Sequence, residues 1–320
     1  MQRFTRQLLL WQLCAAVLMC LLAGLWGHLR WPLAALTGVA AVLLARVALT
    51  ANNFAIAWRY HSETPPDYRL TILQTCALFL REFYATMWNS SWAMPFKRFG
   101  KRDIAHANGL PVLLIHGYGC NSGYWDSLST VLTRANVTHH AIDLEPILAD
   151  IDSYVPAIDA AIETLCRDGG RNGERASIVI VAHSMGGLAA RAYLRDHGAA
   201  RVAQLITLGT PHHGTGIANY GAGANSRQMR WSGSAKNGAP SAWLRKLDEG
   251  ESAAVRARIV SIYSHHDNII SPQTSAHLDG ARNLEYQGIG HVALALHPQI
   301  QARVLAEIRN ASAQTLMTGA

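Results

Sequence analysis

From residue 109 onward, short apolar runs alternate with longer stretches of helical character, and this alternation narrows the choice of fold most. Each apolar run has the length of a buried strand. Strands that alternate with helices form a mostly parallel sheet flanked by helices, so the sequence predicts an α/β architecture. The predicted strands span 111–115, 138–143, 177–182, 203–208, 258–263 and 283–287, and the predicted helices span 153–166, 185–197 and 292–310.

The first fifty residues differ in composition and contain two apolar runs. Residues 8–26 carry no charge and are about long enough to cross a bilayer as a helix, and 33–49 form a second run with Arg46 near its end. We expect 1–50 to be a membrane anchor of two transmembrane helices; the alternative is one anchor followed by an amphipathic helix. Residues 51–108 are expected to form an amphipathic segment, either juxtamembrane or packed on the α/β domain of 109–312.

The formal charge of +7 is concentrated at the N-terminal end. Residues 1–102 contain 11 Lys and Arg against 3 Asp and Glu, whereas 103–320 contain 17 against 18. A nucleic-acid-binding protein carries a basic patch on its folded domain, which is nearly neutral here, so nucleic acid is not an expected partner. Basic residues beside apolar runs fit a membrane surface. With Arg3 and Arg6 in the cytoplasm, two spans return the α/β domain to the cytoplasm, whereas one span places it outside.

A strand, a sharp turn and a helix are predicted around Ser184. Ala182, Ser184 and Gly186 match the G-x-S-x-G pattern of a nucleophile elbow, with alanine at the first small position. The turn needs small residues two positions before and after the serine, and it lifts the hydroxyl above the sheet at a helix N-terminus. Ser184 is therefore the candidate nucleophile.

Two backbone N–H groups are candidates for an oxyanion hole. His116 and Gly117 directly follow the strand at 111–115, where they turn the loop so that the Tyr118 N–H faces the nucleophile. The Met185 N–H, at the start of the helix after Ser184, is the second predicted donor. We interpret the His116 side chain as a structural feature of the loop.

A serine nucleophile needs a histidine base and an acid that orients it; with this elbow, the acid and then the histidine follow the serine along the chain. Asp267 lies just past the strand at 258–263, and His291 lies in a glycine-rich turn before the last helix. We predict His291 as general base and acid, and Asp267 as its partner. The remaining histidines near these strands are interpreted as structural or surface residues, with a metal role left open for the last two: His183, His265, His266, His297, His212 and His213.

Several segments together resemble the lipase and esterase branch of the α/β-hydrolases. They read HGYG at 116–119, AHSMGG at 182–187, LGTPHHGT at 208–215, IYSHHDNIISP at 262–272 and GIGHVAL at 288–294. The sequence looks most like small bacterial triacylglycerol lipases over about residues 109–310. The resemblance implies an α/β-hydrolase fold, a triad of Ser184, Asp267 and His291, oxyanion donors at Tyr118 and Met185, and no metal or organic cofactor. The stretch at 214–240 is predicted to be a long loop or a small lid.

The expected protein is thus an integral membrane serine hydrolase, placed in a bacterial inner membrane, that cleaves carboxylic esters and in particular lipid acyl esters through an acyl-enzyme. Its expected partners are the ester or lipid substrate and the membrane. Two alternatives stay open. The same triad supports acyl transfer or cleavage of thioesters and amides, and the fold could instead be a non-catalytic interaction module.

Overall fold

A computed structural model describes residues 2–104, 107, 109–168 and 177–318 and has a seven-stranded sheet at its centre. The strands are β1 Lys101–Arg102, β2 Val112–Ile115, β3 His139–Ile142, β4 Ile178–His183, β5 Val202–Leu208, β6 Trp231–Ser232, β7 Ala239–Pro240, β8 Ile259–Ser264 and β9 Arg282–Tyr286. The order in the main sheet is β1-β3-β2-β4-β5-β8-β9. Every neighbouring pair is parallel except β1 and β3, and β6 pairs with β7 separately.

The predicted α/β architecture and its six parallel strands are confirmed, with bounds that shift by at most one residue. The helices are α1 Gln2–Leu25, α2 Trp31–Arg59, α3 Ile72–Trp88, α4 Met94–Phe96, α5 Asp126–Arg134, α6 Val155–Asp168, α7 Met185–His197, α8 Gly223–Gln228, α9 Ala242–Glu249, α10 Ala253–Arg256 and α11 Pro298–Thr318. Every residue of β2 and β4 is buried because apolar clusters cover both faces of the sheet. The carboxyl ends of these central strands therefore meet at one protected edge.

The last predicted helix is wrong at its start. Instead of one helix over 292–310, the chain forms a short 3₁₀ turn at Val292–Ala295 and then α11 from Pro298. Proline has no N–H and clashes with the preceding turn, so it begins a helix more readily than it continues one. The 3₁₀ turn is consequently left beside His291.

α1 and α2 are each long and apolar enough to cross a membrane. Five residues join them and they pack against each other, with Gly38 against the backbone of Ala16 and the side chain of Cys20, so they form an antiparallel hairpin. Large apolar side chains cover the outer surface of the hairpin, such as Trp11 and Leu44 at 62% and 67% exposure. α2 continues to Arg59, nine residues past the predicted end of the anchor.

α3 accounts for the amphipathic character predicted in 51–108. Ile72, Leu73 and Leu80 are exposed, whereas Leu78 and Ala85 are buried. The buried side packs on the 3₁₀ turn that follows His291, so this helix belongs to the surroundings of the candidate site. The division of the chain at residues 50 and 108 stays a prediction.

The glycine- and serine-rich stretch at 214–240 contains short elements rather than a plain loop. It forms a 3₁₀ turn at Gly216–Tyr220, then α8, and then the β6–β7 hairpin. Thr215 anchors it by backbone hydrogen bonds with Met229 and Trp231, and Gly216 donates to Ser271. The stretch thus covers the carboxyl edge of the sheet, and we call residues 214–240 the cap.

Candidate active site

Ser184 lies in the sharp turn between β4 and α7 that the sequence predicts. Its φ and ψ are 55° and −126°, a left-handed conformation that is strained for a residue with a side chain. The turn is held by the Ser184 N–H, which donates to Leu208 O at 2.9 Å, and by Thr210 Oγ1, which donates to Ser184 O at 3.0 Å. A Cβ at Gly186 would meet Ile115 O at 2.5 Å, which explains why the position after the serine turn is a glycine.

The side chains of Asp267 and His291 form a buried pair. His291 Nδ1 lies 2.8 Å from Asp267 Oδ2. His291 is 4% exposed and Asp267 is 3% exposed. Asp267 Oδ1 accepts hydrogen bonds from the N–H groups of Ile269 and Ile270 at 2.8 and 2.7 Å. Both oxygens of the Asp267 carboxylate are therefore held in place. Because His291 Nδ1 contacts Asp267, the Nε2 atom of His291 is the ring nitrogen available to a substrate or nucleophile.

A cavity of about 380 Å³ brings Ser184 and His291 together. Gly117 and Tyr118 from the loop after β2 line it as well, and so does Asn53 of α2. Most of the other lining side chains are apolar: Ile56, Tyr124, Pro211, Ile217, Ala218, Met229, Ile269, Ile270 and Val292. This cavity has the size and character of a small-molecule site.

Tyr118 and Met185, the predicted oxyanion donors, lie in the loop after β2 and at the first position of α7. Met185 is the first residue of α7, so its N–H has no acceptor within the helix. Among the described residues, neither this N–H nor that of Tyr118 donates to a protein acceptor. Gly117 brings the loop close to the serine, since a Cβ there would lie 2.8 Å from Ser184 Cβ.

The His116 side chain has the structural role that the sequence analysis assigned to it. Its Nε2 accepts from the Leu144 N–H at 3.0 Å, and its Nδ1 lies 2.9 Å from Gly117 O. Burial lowers the pKa of His116, so the ring stays neutral and serves as one donor and one acceptor. The ring thereby ties the loop after β2 to the end of β3.

His183, which the sequence analysis interpreted as a structural or surface residue, packs directly against His291. Its ring lies between Tyr124 and His291, with centroids 4.5 Å from each, and its Nε2 is 3.1 Å from His291 O. Burial, and then the charge of a protonated His291, hold the pKa of His183 well below its usual range. A neutral His183 therefore packs against His291 without placing a second charge beside it.

Glu82 is a site residue that the sequence analysis missed. This carboxylate from α3 is 1% exposed, and it accepts hydrogen bonds from the N–H groups of Val292 at 2.9 Å and Ala293 at 3.0 Å. Burial raises its pKa to about 7, while the two hydrogen bonds act in the opposite direction. The available signal was that Glu82 is the one acidic residue in the mostly apolar stretch 70–87.

Cys120 also lines the cavity and is a potential rival nucleophile. Burial raises the pKa of its thiol to about 12, so the thiol is protonated at neutral pH and is a poor nucleophile.

His212, for which the sequence left a metal role open together with His213, contacts an arginine side chain. His212 Nδ1 lies 3.2 Å from an Arg191 guanidinium nitrogen, and Arg191 in turn holds Glu251 through two contacts of 2.7 Å. A cation beside the ring disfavours a second cation there. Among the described residues, no group of three His, Cys, Asp or Glu side chains is arranged to hold a metal ion.

Comparison with known proteins places this geometry in context. The palmitoyl protein thioesterase family model matches residues 111–246. Among solved structures, a lipase of Bacillus licheniformis in its mature form is similar, with 16% identity, a TM-score of 0.55, and coverage of 66% of this chain and 97% of that chain. Lipase B of Aspergillus fumigatus is similar with 17% identity, a TM-score of 0.52, and coverage of 64% and 55%.

Proposed function

We propose that the chain is a serine hydrolase that cleaves acyl esters of membrane lipids with Ser184, His291 and Asp267, and its similarity in fold to two lipases and the match of residues 111–246 to a thioesterase family support this. The buried pair of His291 and Asp267 carries the proposal, because it shares a cavity with a serine in an elbow conformation. The same residue types in the same chain order define the triad of this fold.

In the first half of the reaction, Ser184 Oγ attacks the ester carbonyl while His291 Nε2 takes the hydroxyl proton. Asp267 holds Nδ1–H and stabilises the imidazolium that forms. The N–H groups of Tyr118 and Met185 stabilise the oxyanion; a single donor of this kind typically contributes about 3 kcal/mol. His291 then gives its proton to the leaving alcohol oxygen as the C–O bond breaks.

In the second half, water attacks the acyl-enzyme carbonyl and His291 Nε2 takes one proton from that water. The serine oxygen leaves, recovers the proton from His291, and the free carboxylic acid departs. No oxidation or reduction occurs in either half.

Proximity to a bilayer supports a lipid substrate. Two helices are long and apolar enough to span a membrane, and Asn52, Asn53 and Ile56, just beyond the apolar part of α2, line the cavity that contains Ser184. A hairpin anchor then places the cavity at the membrane surface. Because Arg3 and Arg6 favour the cytoplasm, we place the catalytic domain on that side.

A thioester is the second candidate substrate. The observation that favours it is the match of residues 111–246 to the palmitoyl protein thioesterase family. The chemistry is unchanged except that a thiol leaves in place of an alcohol.

A panel of substrates tests the proposal. Full-length protein in detergent micelles is assayed with p-nitrophenyl esters, a phospholipid, a triacylglycerol and an S-acyl peptide of matched chain length. The proposal expects ester turnover that disappears in Ser184→Ala and persists in Ser234→Ala, a matched change at an exposed serine of the cap. Turnover of the thioester alone would select the second candidate, and turnover that survives Ser184→Ala would overturn both.

A further inference from the structure

A second cavity, of about 340 Å³, lies on the other side of Tyr118 from the candidate active site. We call it the α1 cavity because Phe4 and Leu8 of α1 form one of its walls. Met94 of α4 and Ile147, in the loop after β3, line it as well. None of the described residues that line this cavity is charged.

Tyr118 is the partition between the two cavities, since it lines both. Its ring is held at the tip, where the hydroxyl donates to Ala222 O in the cap at 2.9 Å. Next to it, Gly119 has a φ of +68° and open space where a side chain would be. Gly119 itself lines the α1 cavity, so the missing side chain leaves room there for a substrate chain.

The wall formed by α1 is fixed by hydrogen bonds to α2 and to the segment around α4. Arg6 Nε and Gln2 Nε2 both donate to Pro95 O at 2.9 Å, and Arg46 of α2 donates to Gln12 Oε1 and to Ser90 Oγ at 2.8 and 2.9 Å. Gln12 and Ser90 line the cavity together with Thr5, whereas five other lining side chains are apolar: Phe4, Leu8, Met94, Ile147 and Leu148.

The outer rim of the α1 cavity lies beside the part of α1 that we place in the membrane. Phe4 and Leu148 are 42% and 47% exposed at this rim, and the uncharged run of α1 begins at Leu8. The active-site cavity alone is near the lower limit of about 300–1,000 Å³ for small-molecule sites. A long hydrocarbon chain on the substrate needs additional apolar space, and the α1 cavity adjoins the active-site cavity at Tyr118.

We propose that the α1 cavity binds the distal part of a long hydrocarbon chain of the substrate, so that Leu8 of the membrane anchor determines chain-length preference. This inference rests on the proposed ester hydrolysis and adds a site to it. The membrane helix is then a wall of the substrate site as well as an anchor.

Leu8→Trp fills the cavity, and Leu10→Trp is the matched control, because Leu10 is on the same helix, is 56% exposed and lies outside the lining. Full-length proteins are reconstituted in vesicles of dialkyl ether phosphatidylcholine, which contains no ester to compete. Two series are assayed: p-nitrophenyl esters from butyrate to palmitate, and acetate esters of alcohols from butyl to hexadecyl. The first lengthens the acyl side and the second lengthens the alcohol side.

Burial of each methylene favours binding by about fourfold, so exclusion of the last few carbons lowers kcat/KM for long chains at least tenfold relative to short ones. We expect Leu8→Trp to reduce the long-to-short ratio of kcat/KM by about tenfold or more in one of the two series, which identifies the half of the substrate that enters. Leu10→Trp keeps the wild-type ratio.

Equal ratios for Leu8→Trp and wild type in both series would overturn the inference while leaving ester hydrolysis intact. An equal fall with Leu10→Trp would also overturn it, because the effect would then come from the helix surface. If wild-type protein hydrolyses no ester of either series, the proposed function fails first, and the two failures are distinguishable.

Discussion

The carboxylate of Glu82 accepts a hydrogen bond from the backbone N–H of Val292, the residue that follows His291. With the second bond from Ala293, α3 is attached directly to the loop that carries the candidate base. A Cβ at Gly290 would collide with the same carboxylate, so the glycine before His291 is required for this approach. The buried acid therefore fixes the position of His291 from outside the sheet.

Glu82→Gln should change how stability depends on pH. Burial raises the pKa of Glu82 from 4.5 to about 7, so between these values the folded state binds more protons than the unfolded state. The contribution of this group to stability therefore falls as pH rises from about 4.5 to 7, by at most about 3 kcal/mol. Gln does not titrate, so the fall in Tm between pH 4.5 and 7 should be smaller in Glu82→Gln than in wild type by roughly 5–10 °C.

Thermal denaturation at several pH values measures the effect of Glu82→Gln. Glu163→Gln on α6 is the control, because Glu163 pairs with Arg167 on the surface and should leave the pH profile unchanged. A Glu82→Gln profile parallel to that of wild type would show that Glu82 does not titrate in this range.

Asp267→Asn should abolish most of the activity while preserving the fold. The amide keeps the size of the carboxylate but cannot stabilise a protonated His291, and it favours the wrong tautomer of the ring. The expected loss in kcat is about 10⁴-fold on a short-chain ester. Asp279→Asn, at an exposed turn, serves as the control. A loss of less than tenfold in Asp267→Asn would remove Asp267 from the triad.

Gly186→Ala should destabilise the elbow. The added methyl would meet the carbonyl oxygens of Ile115 and His116, which are backbone atoms that cannot rotate away. Overpacking of this kind costs about 1–3 kcal/mol. Gly100→Ala is the matched change, because its Cβ would have only one neighbour, His140 Nε2 at 3.9 Å. Equal unfolding midpoints for the two variants would contradict the tight turn.

Membrane topology provides an independent prediction. A hairpin anchor with Arg3 and Arg6 in the cytoplasm places the C-terminus there too. A green fluorescent protein fused to the C-terminus of the full chain should fluoresce in a bacterial host, and alkaline phosphatase at the same position should be inactive. A fusion after His28, in the turn between α1 and α2, should give the opposite pair of results. Active phosphatase at the C-terminus would indicate one span.

The central strands and the elbow could be predicted because their signals are local. β2 and β4 are short apolar runs buried on both faces, and the small residues around Ser184 are required by one turn. Asp267 and His291 were predicted from chain order and strand ends, and the structure brings them within 2.8 Å.

The contributions from α2 and α3 could not be predicted in the same way. Glu82 binds a residue 210 positions away, and Asn53 reaches the cavity because α2 packs on the 3₁₀ turn at Gly216–Tyr220. Neither contact leaves a periodic pattern in the sequence. The edge strand β1 has two residues and was missed because so short a segment has no alternation to detect.

The most direct test of the account is the identity of the residue that an alkyl fluorophosphonate modifies. Full-length protein is treated with the probe, digested, and analysed by mass spectrometry, with Ser184→Ala and Asp267→Asn in parallel. The account predicts one phosphonyl adduct, on Ser184, which is absent in Ser184→Ala and forms much more slowly in Asp267→Asn. An adduct on another serine, or equal labelling of wild type and Ser184→Ala, would contradict it.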